Sequence, residues 1–172
     1  MKVLGIDPGY ERLGVAVIEA NPSTTLGTKK PQLVFSECFK TSAKDQHPVR
    51  LTQIHEEIER VIKKYKPTHL GIETLFFNKN VKTAIKVAEA RGIILALAQK
   101  NNLKVSELSP QAVKIAVTGY GKSDKTAIMK MVPLLVEIKP LDPARGKKNS
   151  TMLDDEFDAI AAGLCVLAGT VN

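Results

Sequence analysis

The feature that most constrains this chain is a change in its hydrophobic period. Up to Lys40 the apolar residues come in short runs separated by turn formers; from Val49 onward they recur mainly at three- and four-residue steps. The first regime reads as strands and the second as amphipathic helices. Lys2 to Asp7 is a short apolar run that ends in an acid and a Pro-Gly turn. Leu13 to Ala20 is a second strand, rich in Val and Ile. Asn21 to Pro31 collects Pro, Ser, Thr, Gly and two lysines, the composition of a loop. Gln32 to Lys40 is a third strand, and three strands joined by turns predict an antiparallel meander.

Val49 to Tyr65 carries Leu51, Ile54, Ile58, Val61 and Ile62 at helical spacing, and Pro67 ends it. His69 to Glu73 is a fourth strand that also finishes in an acid. Asn80 to Gln99 predicts a long helix with Ala84, Val87, Ala88, Arg91, Ile94, Leu95 and Ala98 on its inner face. Lys104 to Leu108 is a fifth strand. Ser109-Pro110 opens the next helix with a favoured cap and a proline in the first turn. Thr118 to Ser123 is a Gly-containing loop without the spacing of a phosphate-binding P-loop. Asp124 to Val136 and Asp155 to Ala168 are further helices, with a basic, proline-containing loop, Lys139 to Ser150, between them. The expected fold is α/β: a five-stranded mixed sheet, three antiparallel strands followed by parallel crossovers, flanked by helices. With no repeat or dividing linker, residues 1–172 are expected to form one domain.

Met1-Lys2-Val3 runs directly into a strand pattern, so no signal peptide is expected. The strongest apolar stretch, Gly92 to Ala98, is too short to span a bilayer. Cys38 and Cys165 lack metal-ligand spacing and read as small buried thiols of a cytoplasmic protein. The formal charge is +7, and the segment from Asn78 to Lys130, with ten basic residues against three acids, carries an excess equal to the whole. Such a stripe fits a polyanion partner as well as it fits a solvated lysine face.

The acids carry the chemistry. Asp7 and Glu73 each end a strand. Asp155 and Asp158 are three apart at the start of the last helix and share a face. Taken singly, Asp7 before Pro8-Gly9 is also a good turn former, Glu73 an ordinary strand end, and the helix-start acids ordinary partners of the macrodipole. Together they form a set that repels itself unless cations neutralise it. Hard divalent ions take oxygen ligands and are completed by phosphate, and a pair of them supports phosphodiester cleavage. The expected cofactor is therefore Mg²⁺, two ions per site, with Mn²⁺ as a substitute.

Four stretches, in order along nearly the whole chain, resemble RuvC-type Holliday junction resolvases of the RNase H-like superfamily. They are Gly5-Ile6-Asp7-Pro8-Gly9 with Gly14; Ile72 to Asn80 with Ala90-Arg91-Gly92; Ser109 to Lys114 leading into Thr118 to Lys125; and Asp155 to Ala161. The resemblance implies that Asp7, Glu73, Asp155 and Asp158 are the catalytic, metal-binding acids. It implies that Lys114 and Lys125 lie near the cleaved strand and that Phe76 stacks on opened junction bases. Phe76, Phe77, Lys79, Lys82, Arg91, Lys114, Lys122 and Lys125 make up the expected DNA-contacting set. The family further implies a homodimer that nicks two opposed strands of a four-way junction and acts with a RuvAB-type branch-migration helicase.

The loops 21–31 and 140–150 are longer than the family pattern. Asp154 leaves the helix-start alignment open by one residue; Asp155 keeps the family's three-residue step to Asp158. Two alternatives stand beside the resolvase reading: another RNase H-like nuclease, such as the YqgF type, and a junction-binding protein that does not cut.

Overall fold

The computed structural model describes residues 1–20, 30–75, 81–138 and 152–169. The strands are β1 (Lys2–Asp7), β2 (Arg12–Glu19), β3 (Gln32–Lys40), β4 (His69–Glu73) and β5 (Lys104–Leu108). The helices are α1 (His47–Tyr65), α2 (Val81–Lys100), α3 (Pro110–Thr118), α4 (Lys125–Leu135) and α5 (Asp154–Leu167). The strands form one sheet in the order β3-β2-β1-β4-β5. β1–β2 and β2–β3 pair antiparallel, and β1–β4 and β4–β5 pair parallel through helical crossovers. This is the mixed sheet that the change of period predicts.

Two hydrophobic layers flank the sheet. On one face Ile54, Ile58, Val61 and Ile62 of α1 and Ala90, Ile94, Leu97 and Ala98 of α2 pack on Leu4, Ile6, Val15 and Ile72. On the other, α3, α4 and α5 enclose Val3, Ala16, Ile18 and Leu108. The observed inner face of α2 differs from the expected one. Ala88 is exposed, Ala84 and Leu95 are half-buried, and Ala90 and Leu97 take the core positions. Alanines lie all round this helix, so the sequence marks its buried stripe only weakly. α1 starts two residues early, at His47, because Pro48 fits the first helical turn and Gln46 takes the extended cap conformation.

α5 lies directly on the centre of the sheet. A Cβ at Gly5 would collide with the Ala159 carbonyl, and one at Gly14 with the Asp155 carbonyl. The absence of both side chains lets the helix settle against β1 and β2, with Ala159, Ala162 and Gly163 as its buried surface. Among the described residues no helix is long and apolar enough to cross a membrane. The expected loops lie largely outside the described residues: 21–29 of the first and the whole of Lys139 to Ser150.

Candidate active site

Parallel pairing puts Ile6 beside Ile72, so the next residues, Asp7 and Glu73, leave the same end of neighbouring strands. α5 begins over that end, because Asp7 pairs with Gly14 in the β1–β2 ladder and Gly14 admits the Asp155 backbone. The last helix therefore delivers Asp155 and Asp158 beside the two strand-end acids. Glu73 and Asp158 line one open cavity of about 240 Å³ together with Lys114, Lys125, Pro110, Val113 and Ile128.

The electrostatics reflect that convergence. Burial, then repulsion from Glu73, Asp158 and Asp155, raises the Asp7 carboxyl to about 7. Burial and the Asp158 charge likewise raise Glu73 to about 7, against the pull of Lys114 and Lys125. Burial also raises Asp158, although Lys125 opposes it. Asp154 goes the other way: its hydrogen bond from Lys125 holds it below the usual carboxylate range. Burial alone would lower the Lys125 ammonium, but its bonds to Asp154 and Asp158 prevail and hold it well above the usual lysine range.

Two cations bridge the acids. Lys125 Nζ donates to Asp154 Oδ2 at 3.0 Å and stands 3.1 Å from Asp158 Oδ2. Arg12 Nη2 donates to Asp154 Oδ1 at 2.8 Å and also pairs with Asp155. With these cations among them, no three His, Cys, Asp or Glu side chains of the described residues are grouped so as to enclose an ion. The donor set nevertheless fits hard divalent cations: every donor is a carboxylate oxygen, and two, Asp7 and Glu73, are raised to about 7 by burial and then by repulsion from neighbouring acids.

β3 and the backbone before α5 fix the helix start. Ser36 Oγ donates to Glu156 Oε2 at 2.7 Å, and Leu153 N–H donates to Glu156 Oε1 at 3.1 Å. Cys38 Sγ donates to Asp155 Oδ2 at 3.3 Å. Cys165 is the small buried thiol expected, but Cys38 is half-buried and contacts the acid cluster, because its register on β3 pairs it with Gly14. Asp154, Asp155 and Glu156 stand in the first turn of α5, which starts one residue earlier than its apolar pattern predicts.

The basic residues divide. Lys114 on α3 and Lys125 on α4 face the acids. Lys82 and Lys122 are exposed. Arg91 points inward: its Nε donates to the Glu73 carbonyl at 3.1 Å and its guanidinium pairs with Glu107. It braces the end of β4. Phe76, Phe77 and Lys79 lie outside the described residues. Sequence reasoning missed Arg12, yet the short β1–β2 turn carries a signal for it, since β2 starts at the sheet end where β1 delivers Asp7.

A family model described as "Crossover junction endodeoxyribonuclease RuvC" matches residues 3–165. Curated relatives of that description include one from Brachyspira hyodysenteriae, 41% identical, with 95% of this chain and 92% of the relative aligned. Another, from Thermosipho melanesiensis, is 39% identical over 99% of both chains. Among solved structures, Thermus thermophilus RuvC in complex with Holliday junction substrate superposes with a TM-score of 0.82 at 28% identity, covering 100% of this chain and 98% of that one. The yeast mitochondrial Holliday junction resolvase Ydc2 shares the fold at a TM-score of 0.67 and 15% identity, covering 98% of this chain and 79% of that one.

Proposed function

Because this chain belongs to the RuvC family of crossover junction endodeoxyribonucleases, we propose that Asp7, Glu73, Asp155 and Asp158 form its metal-dependent cleavage site. The chain is an endonuclease of the Holliday junction resolvase family, with an RNase H-like fold. Its substrate is four-way junction DNA, the ligand of the similar Thermus thermophilus RuvC. We read residues 1–172 as one nuclease domain that works as a homodimer, nicks two opposed strands symmetrically in recombination and repair, and cooperates with a RuvAB-type helicase in the cytoplasm. The observation that carries the site reading is the convergence of Asp7 and Glu73, at the same end of adjacent parallel strands, with the start of α5 that bears Asp155 and Asp158.

The four acids would hold divalent cations, Mg²⁺ in the proposal, which supply water activation and neutralise the oxygen that leaves. The chain's own contribution is placement. Asp7 and Glu73 are fixed by adjacent parallel strands, and Arg91 braces the Glu73 backbone from α2. Asp155 and Asp158 are fixed by the seat of α5 on Gly14 and by the Ser36–Glu156 tether. Lys114 and Lys125 stand over the cavity, where they meet the phosphate of the strand to be cut. Lys82 and Lys122 are free to follow the duplex arms outside it. Phe76 is assigned to junction bases from the resemblance of Ile72 to Asn80 to the family's second acidic motif, and base–aromatic stacking contributes about 1–3 kcal/mol.

Asp7→Asn tests this reading. The variant is expected to bind a labelled four-way junction as the parent does and to lose cleavage in Mg²⁺, on the order of 10²–10³-fold, the scale for removing one charge-stabilising group. Cleavage at the parental rate rules Asp7 out as a ligand. Linear duplex and an RNA–DNA hybrid, run beside the junction, separate a resolvase from another RNase H-like nuclease.

A further inference from the structure

Asp154 is not one of the four acids, yet it is the hub of the ion pairs around them. Its two oxygens point to different cations. Oδ1 accepts from Arg12 at 2.8 Å, and Oδ2 accepts from Lys125 at 3.0 Å. Each cation is shared with one member of the four-acid set: Arg12 with Asp155, and Lys125 with Asp158 at 3.1 Å. The side chain of Asp154 is 42% exposed, whereas those of Asp155 and Asp158 are 16% exposed. The arrangement is a chain of alternating charge, with Asp154 at its outer, wetter centre.

Arg12 and Lys125 each already hold one oxygen of these carboxylates, Oδ2 of Asp155 and Oδ2 of Asp158, and a divalent ion brought to the same carboxylates is repelled by their charge. Arg12 and Lys125 therefore compete with the metal for the same carboxylates. Asp154 offers both of them a partner that does not belong to the set. We propose that Asp154 is a positioning residue that holds Arg12 and Lys125 at the rim of the acid cluster and so leaves Asp155 and Asp158 available to a divalent cation. The proposal rests on the reading of Asp7, Glu73, Asp155 and Asp158 as the metal site. It assigns Arg12 a role as the metal's competitor in the DNA-free protein.

Simple loss of one negative charge also weakens cation binding, so a double-mutant cycle is needed to separate the two effects. Mn²⁺ binding to the full-length, DNA-free protein is measured by calorimetry for the parent, Arg12→Gln, Asp154→Asn and the double variant. Arg12→Gln removes a competitor and is expected to bind Mn²⁺ more tightly, by about tenfold, a coupling typical of residues in one ion-pair network. Asp154→Asn is expected to bind about tenfold more weakly. With Arg12 already gone, the same Asp154→Asn change is expected to cost less, about threefold, because only Lys125 is then released toward Asp158. Both sites are at the surface, and equal melting temperatures confirm that the variants fold.

An equal loss from Asp154→Asn in both backgrounds makes it a through-space charge and overturns the proposal. Unchanged binding in either single variant also overturns it. Loss of binding as complete as in Asp7→Asn makes Asp154 itself a ligand, with the same consequence. Asp7→Asn serves as the separate control: if it binds Mn²⁺ as the parent does, the four-acid reading fails first.

Discussion

At the scale of the residue, Asp7 and Glu73 are expensive charges in the metal-free protein. Their carboxyls sit near 7, against ordinary values of 3.8 and 4.5. A carboxyl raised on folding contributes stability that is complete below its unfolded value and is lost as pH rises through its folded value. The window here runs from about pH 4 to about pH 7. Asp7→Asn removes one of these charges, so in a chelator the variant is expected to melt above the parent at pH 8. An effect of about 2 kcal/mol corresponds to about 4–8 °C in a chain of this size. The gap should close toward pH 4.5, and added Mg²⁺ should raise the parent's melting point more than the variant's. A gap of the same size at both pH values is incompatible with a raised Asp7. The four acids were legible because strand ends and a helix start are sequence-visible places. Arg91 was legible only in part: helical spacing puts it on the inner side of α2 and the basic segment makes it read as a DNA contact, but its partners, Glu107 and the Glu73 carbonyl, are set by the tertiary fold.

At the scale of the element, α5 decides whether the acids meet. Its first turn carries charge, its remainder is almost entirely small or apolar, and it lies on a sheet with no side chain at Gly5 and Gly14. A methyl group at Gly14 pushes against the Asp155 backbone, which cannot retreat without carrying the acid with it. Gly14→Ala is expected to destabilise by about 1–3 kcal/mol, the usual cost of overpacking, and to lower the melting point by about 2–12 °C. Cleavage should fall further than the folded fraction does, because the helix start moves relative to Asp7. Single-turnover rates at a temperature where the variant is fully folded check this, and a parental rate there would mean that Gly14 serves packing alone. Strand positions were largely legible, because alternation and turn formers bracket them; β1, β3, β4 and β5 take their expected bounds. The inner face of α2 was less so, since alanines around the helix blur its stripe. The tether of Glu156 to Ser36 was not legible, because 120 residues separate the partners and neither type is distinctive.

At the scale of the whole molecule, the chain sets an acid pocket among basic residues, and the two kinds of charge have separable tasks. Lys114 and Lys125 come from α3 and α4 and stand over the pocket, whereas Lys122 is exposed on the turn between those helices. The excess of seven positive charges in the segment from Asn78 to Lys130 was plain in the sequence, but this division of labour was not. A lysine that meets only backbone phosphate contributes through released counterions, so its loss weakens binding most at low salt and leaves chemistry alone. Lys122→Ala is therefore expected to lower the slope of log affinity against log salt by about one, for junction and linear duplex alike. Its single-turnover cleavage rate at saturating protein should match the parent's. Lys114→Ala should show the opposite division, with cleavage slowed on the order of 10²-fold at saturation, the scale for removing one donor that faces developing charge. Junction affinity and rate, measured across a salt series for both variants, distinguish the two. If Lys122→Ala slows the saturated reaction while Lys114→Ala only changes the salt slope, the roles are reversed and the cut strand runs over the α3–α4 turn instead of across the pocket.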